Sequence, residues 1–231
     1  MLFLICYTLL KRFSRGRKLP ALKVAEFLNG CATRLSASFF TRFVLLFMPL
    51  MVFPQDSLYN YKIMYKGDNI GWMKLEKSTE GDKSDISLVS EIKTRIVVPI
   101  KVYLEEQSVF EKGKLIFSSQ LSKTNGKIKT DKQTKLVNNK YEVTENGIRN
   151  VMPYPAISTN LLLMYFEEPV AAKYVYNDKH QRFLKIVKTS DGGYELKFPN
   201  GNKNCFYYSK GICTKIKVQR DLYAVEVILT P

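Results

Sequence analysis

The sequence predicts a mainly β fold: a curved antiparallel sheet or open β-barrel of about ten to twelve strands around one short buried helix. Three observations carry this expectation. Apolar residues recur at every second position along most of the chain after residue 56, the period of a strand with one buried face. Turn signals arrive roughly every 8–12 residues, three of them Asn-Gly, the pair that antiparallel hairpins favour. Aromatic residues are plentiful, with 14 Tyr and 14 Phe beside one Trp, and they suit a pleated, half-buried surface.

In order, Tyr59, Tyr61, Ile63 and Tyr65 form the first alternating run, and Gly67-Asp68-Asn69 turns it into Ile70-Gly71-Trp72-Met73-Lys74-Leu75. Ile86, Leu88, Ile92 and Ile96 share one face of the next run, and Val98, Ile100, Val102 and Leu104 line another. Leu115 and Phe117 open a strand that meets the turn at Asn125-Gly126. The span 123–140 carries Lys123, Lys127, Lys129, Lys132, Lys135 and Lys140, and reads as a solvated hairpin or sheet edge. Edge lysines discourage pairing between sheets. Tyr141 and Val143 then lead to Asn146-Gly147.

One stretch reads as helix, over about 158–167. Ser158 or Thr159 can cap it by accepting from a free backbone N–H, and Pro169 forbids continuation. Between them Leu161 to Phe166 is apolar on every side, so burial all round is expected. Such a helix plugs a curved sheet, filling the core or leaving an apolar cavity. The residues expected to line a cavity are Leu161, Leu162, Tyr165 and Phe166, with Tyr61 and Trp72 from the first two strands. Strands resume with Tyr174 and Tyr176, Leu184 to Val187, Tyr194 to Phe198 and Phe206-Tyr207-Tyr208. Ile212 to Val218 and Tyr223 to Leu229 complete the series.

The N-terminal residues differ. Phe43 to Phe53 is an apolar run of signal-peptide length behind Arg42, too short to span a bilayer core that needs about 20 residues. It fits cleavage near Gln55, the expected outcome; the alternative is an uncleaved anchor from about Leu35 to Phe53 interrupted by Arg42. Residues 1–34 are too long and too charged for the start of a signal peptide and read as an over-extended N-terminus. The expected organisation is therefore 1–34, a signal peptide or anchor over 35–55, and a single β-rich domain over 56–231. Of the +15 net charge, residues 1–55 supply eight basic groups and one acid. The body keeps 28 basic and 20 acidic residues, a net of +8. Cys205 and Cys213 flank the turn at Ser209-Lys210-Gly211 in a poor register for a disulfide, so two free, buried thiols are expected.

The opening hairpin Tyr61 to Gly71 resembles the start of a family of exported Bacteroidota proteins known as domain of unknown function 6134. So do the Glu168-Pro169 stop, Phe198-Pro199-Asn200-Gly201, and Tyr207, Tyr208 and Gly211. The family is remotely similar to curved β-sheet envelope domains. The resemblance implies a β-rich fold and a periplasmic or cell-envelope location in a Gram-negative bacterium, and it brings no catalytic residues.

Chemical motifs are sparse. His180 is the sole histidine, which excludes a zinc site built from several His ligands, and Asp178-Lys179-His180-Gln181 reads as an exposed polar turn. Glu105 and Glu106 point to opposite faces of a strand and cannot enter one site together. No nucleophile elbow, phosphate loop or dinucleotide fingerprint is present. No catalytic, cofactor or metal residue is assigned, and nucleic-acid binding is not expected. The sequence leads to a non-enzymatic envelope protein that binds or carries an apolar or amphiphilic, lipid-like ligand, with contact to a membrane surface open. The alternative is an assembly protein that pairs with an envelope partner through a sheet edge.

Overall fold

A computed structural model describes residues 56–94, 99–221 and 223–231. The expected signal or anchor segment, the residues before it, Ile96 and Val98 lie outside the described residues.

Eight strands run as consecutive hairpins: β1 (Ser57–Tyr65), β2 (Asp68–Glu80), β3 (Lys83–Thr94), β4 (Ile100–Glu111), β5 (Lys114–Thr124), β6 (Lys127–Val137), β7 (Lys140–Glu145) and β8 (Ile148–Met152). After a crossing segment over 153–173, six more follow: β9 (Tyr174–Asn177), β10 (Arg182–Lys188), β11 (Tyr194–Lys197), β12 (Lys203–Ser209), β13 (Ile212–Gln219) and β14 (Ala224–Leu229). All 14 belong to one sheet, in the order β8-β7-β6-β5-β4-β3-β2-β1-β14-β13-β12-β11-β10-β9. The described chain thus makes two antiparallel meanders joined at the centre, where β1 pairs with β14. The strand number exceeds the expected ten to twelve because short pieces such as β8 and β9 pair as separate strands.

The turns are those the sequence chemistry demands. Asn125-Gly126 and Asn146-Gly147 hold both central residues at positive φ, the conformation that matches the twist of flanking strands. Register shifts between Ile63 and Met64, Val109 and Phe110, Ser122 and Lys123, and Tyr207 and Tyr208 add local twist. Gly71 is fixed by close approach: a Cβ there would lie 2.3 Å from the Glu91 carbonyl oxygen on β3.

The sheet curls until groups far apart in strand order meet on its concave face. The hydroxyls of Thr134 on β6 and Tyr176 on β9 are 3.0 Å apart. The Tyr154 hydroxyl donates to the Gln181 carbonyl oxygen at 2.7 Å. Tyr61, Ile63, Leu75, Ile86, Leu115 and Phe206 are among the buried side chains of the continuous core. Full burial of one such aliphatic side chain contributes about 1.5–3 kcal/mol.

The crossing segment corrects the expected helix. Only Leu163–Tyr165 form a single 3-10 turn, and the described residues contain no α-helix. The reason is competition from the strands for the same backbone groups. The Leu115 N–H donates to the Ile157 carbonyl at 2.8 Å, and Thr159 accepts from the Tyr176 N–H at 3.1 Å. Leu161 donates back to Tyr176 at 3.0 Å. The chain is therefore extended where a helix would begin, with Asn160 bridged in parallel to Tyr176. Neither Ser158 nor Thr159 caps the turn, whose N-cap is Leu162; the Asn160 Oδ1 accepts from the Leu163 N–H at 3.1 Å. Burial follows the sequence more closely: Ile157, Leu162, Met164 and Phe166 are all buried in the core.

Candidate functional site

Inward positions of β3 to β7 should be apolar if they merely fill a core, yet many are polar. One row across the sheet reads Leu88, Glu106, Gln120, Lys132 and Glu145; the next reads Ile86, Ser108, Ser118, Thr134 and Val143. Ser90, Ser108, Ser118, Gln120, Thr130 and Thr134 are buried. Buried polar groups cost free energy unless bonded, so their partners decide what the face can do.

Asn160 and Asp178 supply those of Ser108 and Ser118 from the opposite side. The Asn160 Nδ2 donates to Ser108 Oγ at 2.7 Å and to Asp178 Oδ2 at 3.1 Å. The Ser118 hydroxyl donates to Asp178 Oδ1. The Gln120 Nε2 donates to Glu106 Oε1, while Gln120 Oε1 is buried with no partner among the described residues. Lys132 is held by Glu145 at 2.8 Å. Gln181 closes the side of the cluster, its Nε2 reaching the Gln133 and Thr144 carbonyls at 3.4 and 3.5 Å.

The two carboxyls are electrically unusual. Burial pushes Glu106 up to about 7, helped by the neighbouring Asp178 carboxylate and opposed by the Gln120 hydrogen bond. Burial raises Asp178 to about 6 against the hydrogen bonds from Ser118 and Asn160. Burial also keeps the Tyr165 hydroxyl well above its usual range, with Glu106 the next contributor. Raised acids facing one another inside a fold mark functional sites as well as structural networks. Glu106, Leu104, Leu161 and Tyr165 are only half-buried.

The six residues expected to line a cavity divide. Tyr61 and Leu162 are buried at 1% exposure, and Phe166 is buried against Tyr59, with ring centroids 5.3 Å apart. Tyr165 stands edge-on between Tyr61 and Phe206, at 6.0 and 5.7 Å, and Leu161 is half-buried. Trp72 is 46% exposed on the convex face and belongs instead to an open cleft of about 290 Å³ with Asn69, Ile70, Gly71, Glu91 and Lys93.

The expectation of an exposed turn at 178–181 is corrected: Asp178 and Gln181 are buried because the curl brings them against β5 to β7. His180 bonds Asn177 through its Nδ1 at 2.7 Å, and burial lowers its pKa. Cys205 and Cys213 are free thiols, and only Cys213 is buried. The bulge at Tyr207/Tyr208 sets Cys213 opposite Tyr208 and Cys205 opposite Lys217, which puts the thiols on opposite faces. Among the described residues no group of three or more His, Cys, Asp or Glu could hold a metal ion. The sequence signal for the polar cluster was available: Ser108, Ser118, Gln120 and Thr134 occupy positions where strict alternation asks for apolar side chains.

Comparison with known proteins adds a family. The family model for a domain of unknown function, DUF6134, matches residues 61–230. No curated protein matches the chain. Among solved structures, the crystal structure of a beta-barrel-like protein of domain of unknown function DUF1849 from Brucella abortus is similar. The match covers 77% of this chain and 95% of that one, with 12% identity and a TM-score of 0.46.

Proposed function

The chain belongs to the DUF6134 family, whose description names no activity, and from its own interior we propose that it is a non-enzymatic binding module for a small, lipid-like amphiphile. The observation that carries this reading is the unpartnered Gln120 Oε1, buried beside a half-buried Glu106 on the concave face. An unmade hydrogen bond at a buried polar atom costs about 1–3 kcal/mol, and a ligand's polar end would remove that cost. Leu104, Leu161 and Tyr165 offer the apolar flank for its body. Residues 43–53 behind Arg42 suit export to the cell envelope, where amphiphiles are abundant.

Titration of the full chain with a neutral naphthylamine fluorophore tests the reading. Saturable binding displaced by dodecanol is expected. Absence of saturable binding rejects the module as an amphiphile binder. A second reading, pairing with an envelope partner through a sheet edge, is favoured by β8. Ile148 and Val151 are 69% and 56% exposed there, and no described strand pairs with its outer side.

A further inference from the structure

We propose that the interior selects a head group that donates hydrogen bonds, an amine before a hydroxyl, and turns away carboxylate and phosphate heads. The inference rests on the amphiphile-binding reading and names the chemistry of its ligand.

It follows from which polar atoms at the cluster are already engaged. Several donors are occupied: Asn160 Nδ2 serves Ser108 and Asp178, the Ser118 hydroxyl serves Asp178, and one N–H of Gln120 Nε2 serves Glu106. Thr134 and Tyr176 share one hydrogen bond, which engages one of their two hydroxyl protons. The acceptors are not exhausted. Gln120 Oε1 has no partner, and Glu106 Oε1 receives the one Gln120 bond while the carboxylate can accept more.

Exchanging the two ends of the Gln120 amide does not remove the need. The oxygen would then face the Glu106 carboxylate, and the amide nitrogen would be left unpaired instead. The charged neighbours agree with a donor ligand. Lys132 is neutralised by Glu145. Arg220 gives its Nη1 to the Lys203 and Gln219 carbonyls and to Asn204 Oδ1. Lys179 is exposed, and the Tyr165 hydroxyl can serve as donor or acceptor. Above the raised values of both acids, an anionic head would meet two carboxylates, Glu106 and Asp178. An ammonium would donate to Gln120 Oε1 and to Glu106 at once, and a hydrogen bond between charged groups is about twice as strong as a neutral one.

The experiment compares dodecylamine, dodecanol and laurate by calorimetry on the full chain at about pH 8, above the raised values of Glu106 and Asp178, with Glu106→Gln as the variant. Dodecylamine should bind about tenfold tighter than laurate, with dodecanol between them, the tenfold corresponding to about 1.4 kcal/mol. The isosteric Glu106→Gln should still bind dodecanol and lose most of the amine preference. Laurate binding as tightly as the amine overturns the inference, and so does an amine preference that Glu106→Gln leaves intact. Failure of all three probes to bind overturns the underlying amphiphile reading instead.

Discussion

The Tyr141 hydroxyl accepts from the backbone N–H of Ile157 at 3.0 Å, and by donating onward to the Leu115 carbonyl at 2.9 Å it ties the crossing segment to β5. The Leu115 N–H in turn donates to Ile157. One side chain therefore completes the bonding of a buried, non-helical stretch. Tyr141→Phe should lower unfolding free energy by about 1–3 kcal/mol, because it leaves a buried N–H and a carbonyl without partners. Urea unfolding checks this; an unchanged midpoint would show that water takes over both bonds.

Leu162 tests how solid the core is beside the turn. It is 1% exposed, and Leu162→Ala should cost about 2–5 kcal/mol through lost burial and a new cavity. Replacing Tyr165, which stands in half-buried contact between Tyr61 and Phe206, should cost less and change affinity for an apolar probe more. Equal destabilisation by the two changes with no effect on probe binding would mean that Tyr165 is core alone.

Stability should fall as pH rises from about 4.5 to about 7. Glu106 and Asp178 are raised from 4.5 to about 7 and from 3.8 to about 6, so the folded state binds protons that the unfolded chain has released. The stabilisation is complete below the unfolded values and is lost as pH passes through the folded ones. His180, lowered by burial, acts in the opposite sense near 6.5. Glu91 and Asp191, lowered by their hydrogen bonds, lose their contribution only at more acid pH. Urea midpoints across this range should decline, and Glu106→Gln should flatten the upper part of the slope. A midpoint rising from pH 5 to 7 would contradict the arrangement.

The lysine span separates by face. Lys127 and Lys129 are exposed, and reversing both to Glu should change stability by no more than about 0.5 kcal/mol. Lys132 is different: its side chain is 15% exposed, bonded to Glu145, and opposite Gln120 across β5 and β6. Lys132→Glu should be clearly more destabilising, since it removes the pair with Glu145 and adds an acid beside Glu106, Asp178 and Glu145. Chemical denaturation of the double and single variants decides this. Equal, small effects would return Lys132 to the solvated surface.

How far the sequence reached depends on the range of the interaction concerned. Strands and their turns are written locally, and Tyr61, Ile63, Asn125-Gly126 and Asn146-Gly147 could be read from neighbours within a few positions. The span 123–140 was harder: its lysines suggested a solvated hairpin or a sheet edge, and β5 and β6 do form a hairpin there, but β6 pairs on both sides and the sheet's ends are β8 and β9. Residues 158–167 misled because helix signals compete with bonds from Leu115 and Tyr176 that no local pattern reveals. The face of Glu106 followed from alternation, opposite to exposed Glu105. Its encounter with Asp178 did not, because that meeting exists only once the sheet has curled.

The seam between β1 and β14 sets a schedule for folding. Thr230 bonds to Asn60 across 170 positions of sequence, so the middle of the sheet is the last part that synthesis makes possible. Until β14 leaves the ribosome, β1 presents a bare edge in a nascent meander, and pairings of such high contact order form slowly. That interval is when the chain is most exposed to aggregation through unpaired strands, and when a chaperone holding β1 would do most to protect it.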